Sequence, residues 1–255
     1  MTATFTIQSL QDLLAFPFKS RNGKNKILLA GLFGFANYII PILPTLFLLG
    51  YSGLIMQRMI QEKVYPFLPE WNEWNKFFKL GSKIFGASFV YSFPAGCMIV
   101  IGYLAMIAPA FLSAFYDSLS ARDVGHLFFV QIVCAFAGIA CFGVGLFLSL
   151  ILSAFLPVVV AHVAATNSFK AAFHIKDWWK ILRVNLGGFF VTLIILGGLY
   201  MVLVLAIQLI YMTVILCLLI PFLFSFIFAY LLIIANVLFA QAYREALEKL
   251  AASAV

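Results

Sequence analysis

The sequence predicts an all-α, polytopic membrane bundle: four full spans, an N-terminal re-entrant helical hairpin and interfacial amphipathic helices. The prediction rests first on composition. Of 255 residues, 65% are hydrophobic and only 10% are charged, and the mean hydropathy is +1.10. A water-soluble domain carries about 25% charged residues, so a soluble globule is excluded. Disorder is excluded too, because 29 Phe are more apolar surface than an unfolded chain can leave in water. The third observation is the placement of the charges. No Asp, Glu, Lys or Arg occurs in 27–57, 84–116, 124–169 or 184–243, and each stretch exceeds the ~20 apolar residues that cross a hydrocarbon core.

The chain divides into a cytoplasmic segment, 1–26, and a single membrane domain, 27–255. Phe5, Leu10, Leu13, Leu14 and Pro17 lay an apolar stripe along the first eighteen residues, and Asp12 with no basic start argues against a signal peptide. A short helix lying on the inner leaflet is expected there, followed by the basic cluster of Lys19, Arg21, Lys24 and Lys26.

Orientation follows from the cations, since basic loops stay cytoplasmic. Beyond the first cluster, the loop after Gln57 holds Arg58, Lys63, Lys76, Lys79 and Lys83, a later loop holds Lys170, Lys176, Lys180 and Arg183, and the tail holds Arg244 and Lys249. Arg122 is the one basic residue of the sixteen assigned to the outer side. A multi-pass protein of the cell (inner) membrane with both termini cytoplasmic is expected. Two consecutive basic segments on one side require 27–57 to enter and leave by the same face, yet it is too short for two crossings. Pro41 and Pro44 lie at its middle, where they deprive a helix of hydrogen bonds. A hairpin of two half-length helices, roughly 27–40 and 45–57, is expected; one long, kinked span is the alternative.

The loop after the hairpin carries Trp71 and Trp74, with Lys76 and Lys79 following, and the later loop carries Trp178 and Trp179, with Lys180 and Arg183 following. Indole rings favour the headgroup layer and lysines reach phosphates, so both loops read as amphipathic helices on the inner leaflet, either as a plain aromatic belt or as a surface for lipid headgroups or a partner. Pro69 and Glu70 suit the first turn of the earlier helix. The stretch 184–243 would measure roughly 90 Å as one helix, so it folds back as two spans. Its turn is expected near 208–213, or nearer Pro221, which can open a helix. Proline-containing segments (Pro44, Pro157) leading to basic loops and outward spans hint at a parallel repeat.

Pro17, Phe18 and Lys19, the apolar stretch with Ile40, Pro41 and Pro44, Gly50 with Tyr51, the string Leu68, Pro69, Glu70, Trp71, and Ser168 with Phe169 and Lys170 occur in an order that resembles an uncharacterised prokaryotic membrane-protein family, domain of unknown function 4013. The resemblance implies an all-helical integral membrane protein and brings no activity or catalytic residues with it.

The chemical inventory points away from catalysis. Ionisable residues are absent from mid-span, where they would mark proton or ion paths. His126, His162 and His174 are scattered without metal spacing. Cys97, Cys134, Cys141 and Cys217 lie in the spans as small packing residues, and Ser149, Ser153 and Ser225 lack a base at their depth. No enzyme, metal or cofactor is expected. Asn37, Gln131 and Asn236 are candidates for interhelical hydrogen bonds or for lining a cavity, and Ala137, Cys141 and Gly145 form a small-residue face.

The favoured reading is therefore a non-enzymatic membrane protein whose basic, Trp-rich inner face meets anionic lipid headgroups or a protein partner. A permease or channel-like subunit, or an accessory subunit of a larger complex, is the alternative, and a homo-oligomer is open. Nucleic acid is an unneeded explanation of pI 9.3, because positive-inside bias accounts for the basic excess.

Overall fold

The computed structural model of the chain describes residues 10–113, 121–212 and 219–253, and every regular element among them is helical. In order these are α1 (Leu10–Lys19), α2 (Gly23–Ala36), α3 (Leu43–Gln61), α4 (Trp74–Ser113), α5 (Ala121–Thr166), a 3-10 turn (Phe169–Phe173), α6 (Ile175–Val184), α7 (Leu186–Tyr211) and α8 (Ile220–Ala252). Four stretches are long and apolar enough to cross a membrane: Trp74–Pro109, Phe128–Thr166, Leu186–Tyr211 and Ile220–Ala252. They are the four full spans the sequence predicts. Among the described residues, those of 10–87 and 157–253 form one compact unit and those of 88–156 another.

In the first unit, the break expected around Pro41 and Pro44 is present, with different helix ends. α2 runs Gly23–Ala36 rather than 27–40, and α3 runs Leu43–Gln61 rather than 45–57, so that α3, with 19 residues, is longer than the half-length helix expected. Asn37 causes the early stop. Its side-chain amide donates to the Phe33 carbonyl at 3.3 Å, and its Oδ1 accepts from the Thr45 backbone N–H at 3.1 Å and the Thr45 hydroxyl at 2.7 Å. The carboxamide thus satisfies one of the orphan donors in the first turn of α3, a task the apolar N-cap Ile42 cannot perform. Pro41 lies in the break and Pro44 in the first turn of α3, where its missing N–H costs nothing. Between them Ile42 has φ 74°, and the Leu43 N–H reaches back to the Pro41 carbonyl at 2.9 Å. A β-branched residue in that region stores about 1–3 kcal/mol of strain.

α3 and α4 approach backbone to backbone. A β-carbon on Gly50 would collide with the Phe77 carbonyl oxygen, and one on Gly81 with the Leu46 carbonyl oxygen, so only glycine fits at either position. α1, of which Leu10–Lys19 is described, buries Leu13 and Phe16 and accepts at its Leu14 carbonyl a 2.7 Å bond from the Tyr230 hydroxyl of α8.

The loop helix expected from Pro69 onward does not form; 63–70 is irregular and α4 starts at Trp74. The later loop does carry a separate helix, α6, ended at Asn185. Asn185 is buried, donates to the Ala242 carbonyl at 2.9 Å and to Glu245 at 3.3 Å, and accepts from Lys249 at 2.6 Å. These bonds fasten the α6–α7 corner to the far end of α8. The two candidate repeats therefore share an order of elements and differ in structure. α7 ends at Tyr211 and α8 opens with Pro221 in its first turn, while 213–218, within which most of the connection falls, lies outside the described residues.

In the second unit, helix packing uses Gly138, Cys141 and Gly145, which face Gly102, Met98 and Ala95 with Ile99 respectively. The expected face began at Ala137, but that residue is exposed. The spacing 138, 141, 145 follows the i, i+3, i+7 stripe of an α-helix more closely than 137, 141, 145. Cys97 and Cys134 are free, and Cys217 lies outside the described residues.

Candidate functional site

The ionisable and aromatic residues singled out in the two basic loops belong to the first unit. The irregular segment between α3 and α4 is held down as a strap. Trp71 inserts its indole between Phe33 of α2, stacked at 5.1 Å and 2°, and Tyr51 of α3, stacked at 4.2 Å and 5°. Its N–H donates to the Lys26 carbonyl at 3.2 Å. The Tyr51 hydroxyl donates to the Pro69 carbonyl at 3.1 Å, and the Lys26 ammonium donates to the Leu68 carbonyl at 2.8 Å. Leu68, Pro69 and Trp71 thus spend their polar groups on both arms of the hairpin, which explains why this stretch is not helical. Glu70 completes the strap with an ion pair to Lys26 at 2.7 Å.

Trp71, half-buried, is therefore packed as a wedge between α2 and α3. Trp178 behaves alike: it is 5% exposed and its N–H donates to the Ala172 carbonyl at 3.1 Å. An indole N–H packed away from water needs an acceptor, and for both the half-buried Trp71 and the buried Trp178 a backbone carbonyl supplies it. Trp74 is more accessible, and Trp179 is half-buried, as Trp71 is. Trp74 is 42% exposed, and Trp179 carries the Arg183 guanidinium over its ring at 5.5 Å. Lys76, Lys79, Lys180 and Arg183 are exposed. On α6, Trp178, Ile181 and Leu182 are buried while Lys176, Asp177, Lys180 and Arg183 face outward.

A cavity of about 330 Å³ lies at the base of the hairpin, where Lys26 near the start of α2 and Arg58 near the end of α3 meet the 67–73 segment. Arg58 pairs with Glu73 at 3.1 Å and lies over the Phe67 ring at 5.3 Å. Lys76 approaches the other Glu73 oxygen at 2.8 Å. The hydrogen bond from Lys76, aided by Arg58, holds the Glu73 carboxyl below the ordinary carboxylate range. The sequence reading missed this cavity; the signal available was charge of both signs in 58–76, which identifies loop residues without saying which of them converge.

The amide candidates are not brought together. Asn37 is engaged at the hairpin break. Asn236 is buried and donates to the Leu232 carbonyl of its own helix at 2.9 Å. Gly34 abuts Ser225, and Asn236 lies eleven residues further along α8, roughly 16 Å at 1.5 Å per residue. Gln131 is exposed in the other unit. Elsewhere, His162 and Tyr243 are buried and share a 2.7 Å hydrogen bond, and Lys83 donates to the carbonyl and side chain of Asn167, whose left-handed conformation ends α5.

Residues 33–212 match a family model described as "Protein of unknown function (DUF4013)". No curated protein matches the chain, and no solved structure does. The match leaves out Pro17, Phe18 and Lys19 and takes in the residues that interlock here, Gly50 and Tyr51 of α3 with the strap from Leu68 to Trp71. Because it spans more than half of a helical chain with four membrane-length apolar helices, the chain belongs to the DUF4013 family.

Proposed function

We propose that this protein is a non-enzymatic component of the cell membrane that presents a basic inner face to anionic lipid headgroups, with α2 and α3 as a re-entrant hairpin and both termini cytoplasmic. The carrying observation is the outward set of cations beside an exposed and a half-buried indole: Lys76 and Lys79 next to Trp74, and Lys180 and Arg183 next to Trp179. Each Lys or Arg near an anionic leaflet contributes about 1 kcal/mol, so the four together give a substantial but salt-sensitive attraction. Accessible indole edges favour the same layer.

Two features favour the hairpin. α2 has 14 residues, about 21 Å of helix, short of the ~30 Å core. Lys26 and Arg58, close to the outer ends of the two arms, line one cavity, so the hairpin begins and ends at the same level. The broken backbone at 37–42 is served by Asn37 and Thr45, as irregular backbone at membrane depth must be.

The test is lipid retention. The protein and a Lys76→Gln/Lys79→Gln/Lys180→Gln/Arg183→Gln variant are reconstituted in vesicles with and without an anionic lipid, and annular lipid composition is read by spin-labelled lipid competition. The wild type is expected to enrich the anionic lipid and lose that enrichment at high salt. Equal behaviour of the variant rejects the reading. A cysteine placed at Thr4 and labelled by an impermeant reagent in intact cells rejects the hairpin.

A further inference from the structure

We propose that the cavity at the base of the α2–α3 hairpin binds the phosphodiester group of a membrane phospholipid, one lipid per chain. This deepens the headgroup reading and rests on it, replacing a diffuse basic surface with one defined site. The cavity, about 330 Å³, is at the small end of ligand pockets. It suits a headgroup whose acyl chains remain in the bilayer.

Its charge selects the ligand. Arg21, Lys26 and Arg58 oppose Glu70 and Glu73 in the lining, leaving one net positive charge. A phosphodiester, with a single negative charge, balances it. A phosphomonoester or inorganic phosphate brings further negative charge beside two carboxylates, and Glu73 stays ionised because Lys76 and Arg58 hold it so.

The cations divide the work. Lys26 is 6% exposed and engages the Leu68 carbonyl and Glu70, so it supplies fixed background charge. Arg58 has its face on Phe67 and one terminal nitrogen on Glu73, which fixes the plane of a guanidinium that has five N–H donors in all. That preorientation suits two-point contact with phosphate oxygens. Arg21, exposed between α1 and α2, lines the cavity as well.

The experiment uses the full chain in mild detergent, delipidated and titrated with phosphatidylglycerol, phosphatidic acid or diacylglycerol, with inorganic phosphate and soluble glycerophosphoglycerol as chain-free arms; bound lipid is counted by native mass spectrometry. One phosphatidylglycerol per chain is expected, held more tightly than phosphatidic acid, with diacylglycerol and inorganic phosphate not retained. Arg58→Gln and Arg21→Gln are each expected to weaken it by about tenfold, as loss of a charge-assisted hydrogen bond does. Arg58→Lys is expected to fall between. Arg21 lies outside the ion-pair network of the strap, so its variant tests the site even where Arg58→Gln unfolds the protein. Phosphatidic acid or inorganic phosphate binding more tightly than phosphatidylglycerol overturns the diester assignment. Retention unchanged by Arg21→Gln and Arg58→Lys, but lost in a Lys79→Gln/Lys180→Gln/Arg183→Gln variant, overturns the cavity and leaves the surface reading standing. Glycerophosphoglycerol binding as tightly as the lipid overturns the membrane source.

Discussion

Replacing Trp71 by alanine separates a wedge from an interfacial anchor. The indole stacks on Phe33 and Tyr51 within 5° of parallel on both faces, meets Phe77 edge-on at 5.6 Å, and donates to the Lys26 carbonyl. Truncating a packed Trp to Ala costs about 3–5 kcal/mol when the surroundings do not collapse. Each lost aromatic pair accounts for about 0.5–1.5 kcal/mol beyond area, and the unpaired carbonyl adds about 1 kcal/mol. Trp71→Ala should therefore destabilise by about 4 kcal/mol. Trp71→Phe, which keeps an aromatic ring but no donor, should cost about 1–2 kcal/mol. Trp74, 42% exposed, should cost about 1 kcal/mol as Trp74→Ala. The assay is denaturant titration in mild detergent followed by helical circular dichroism, which does not depend on the fluorophore being removed. If Trp71→Ala unfolds with Trp74→Ala, or within about 0.5 kcal/mol of the wild type, the strap does not hold the hairpin.

Gly50→Ala drives a methyl into the Phe77 backbone and should destabilise by about 3 kcal/mol, the upper end of ordinary overpacking; an unchanged melting midpoint would contradict the α3–α4 crossing. Asn37→Ala removes both acceptor contacts to Thr45 and should cost about 1–2 kcal/mol, with faster hydrogen exchange at the Thr45 amide as the local readout. Asn185→Ala strips three bonds between the α6–α7 corner and α8, and should cost about 2–4 kcal/mol while raising exchange near Ala242. Glu73 sets a pH dependence. Its folded carboxyl titrates below the ordinary value of 4.5, so the stability it contributes is complete above that value and declines as the pH falls through it. The difference in midpoint between wild type and Glu73→Gln should hold from pH 7 down to the ordinary carboxylate value of 4.5 and shrink as the pH falls below it, and a difference that grows on acidification would refute the assignment.

Much of the architecture is readable from single residues. Three of the four uncharged stretches, 84–116, 124–169 and 184–243, become the four membrane-length helices, the last folding back as two, because lipid offers a backbone no partner and each polar group must be satisfied within its own helix. Pro41 and Pro44 announce a break for an equally local reason. The small-residue face is legible to within one position, Gly138 replacing Ala137, because helical phase drifts over a few turns.

Side-chain destinations were decided elsewhere. The composition of 68–79 suits an amphipathic helix, and nothing local says that Tyr51, seventeen residues before Leu68, will place its hydroxyl under the Pro69 carbonyl, or that Lys26 will take the Leu68 carbonyl. Those partners lie on other helices. The same holds for the cavity, whose charges come from the bend before α2, the end of α3 and the strap between them. Hydropathy and charge along the chain determine which stretches are helical and apolar, since those properties are summed residue by residue. Whether a given indole anchors in headgroups or wedges between helices depends on which carbonyl and which ring come within a few ångströms of it, and only the packing of α2, α3 and the strap settles that.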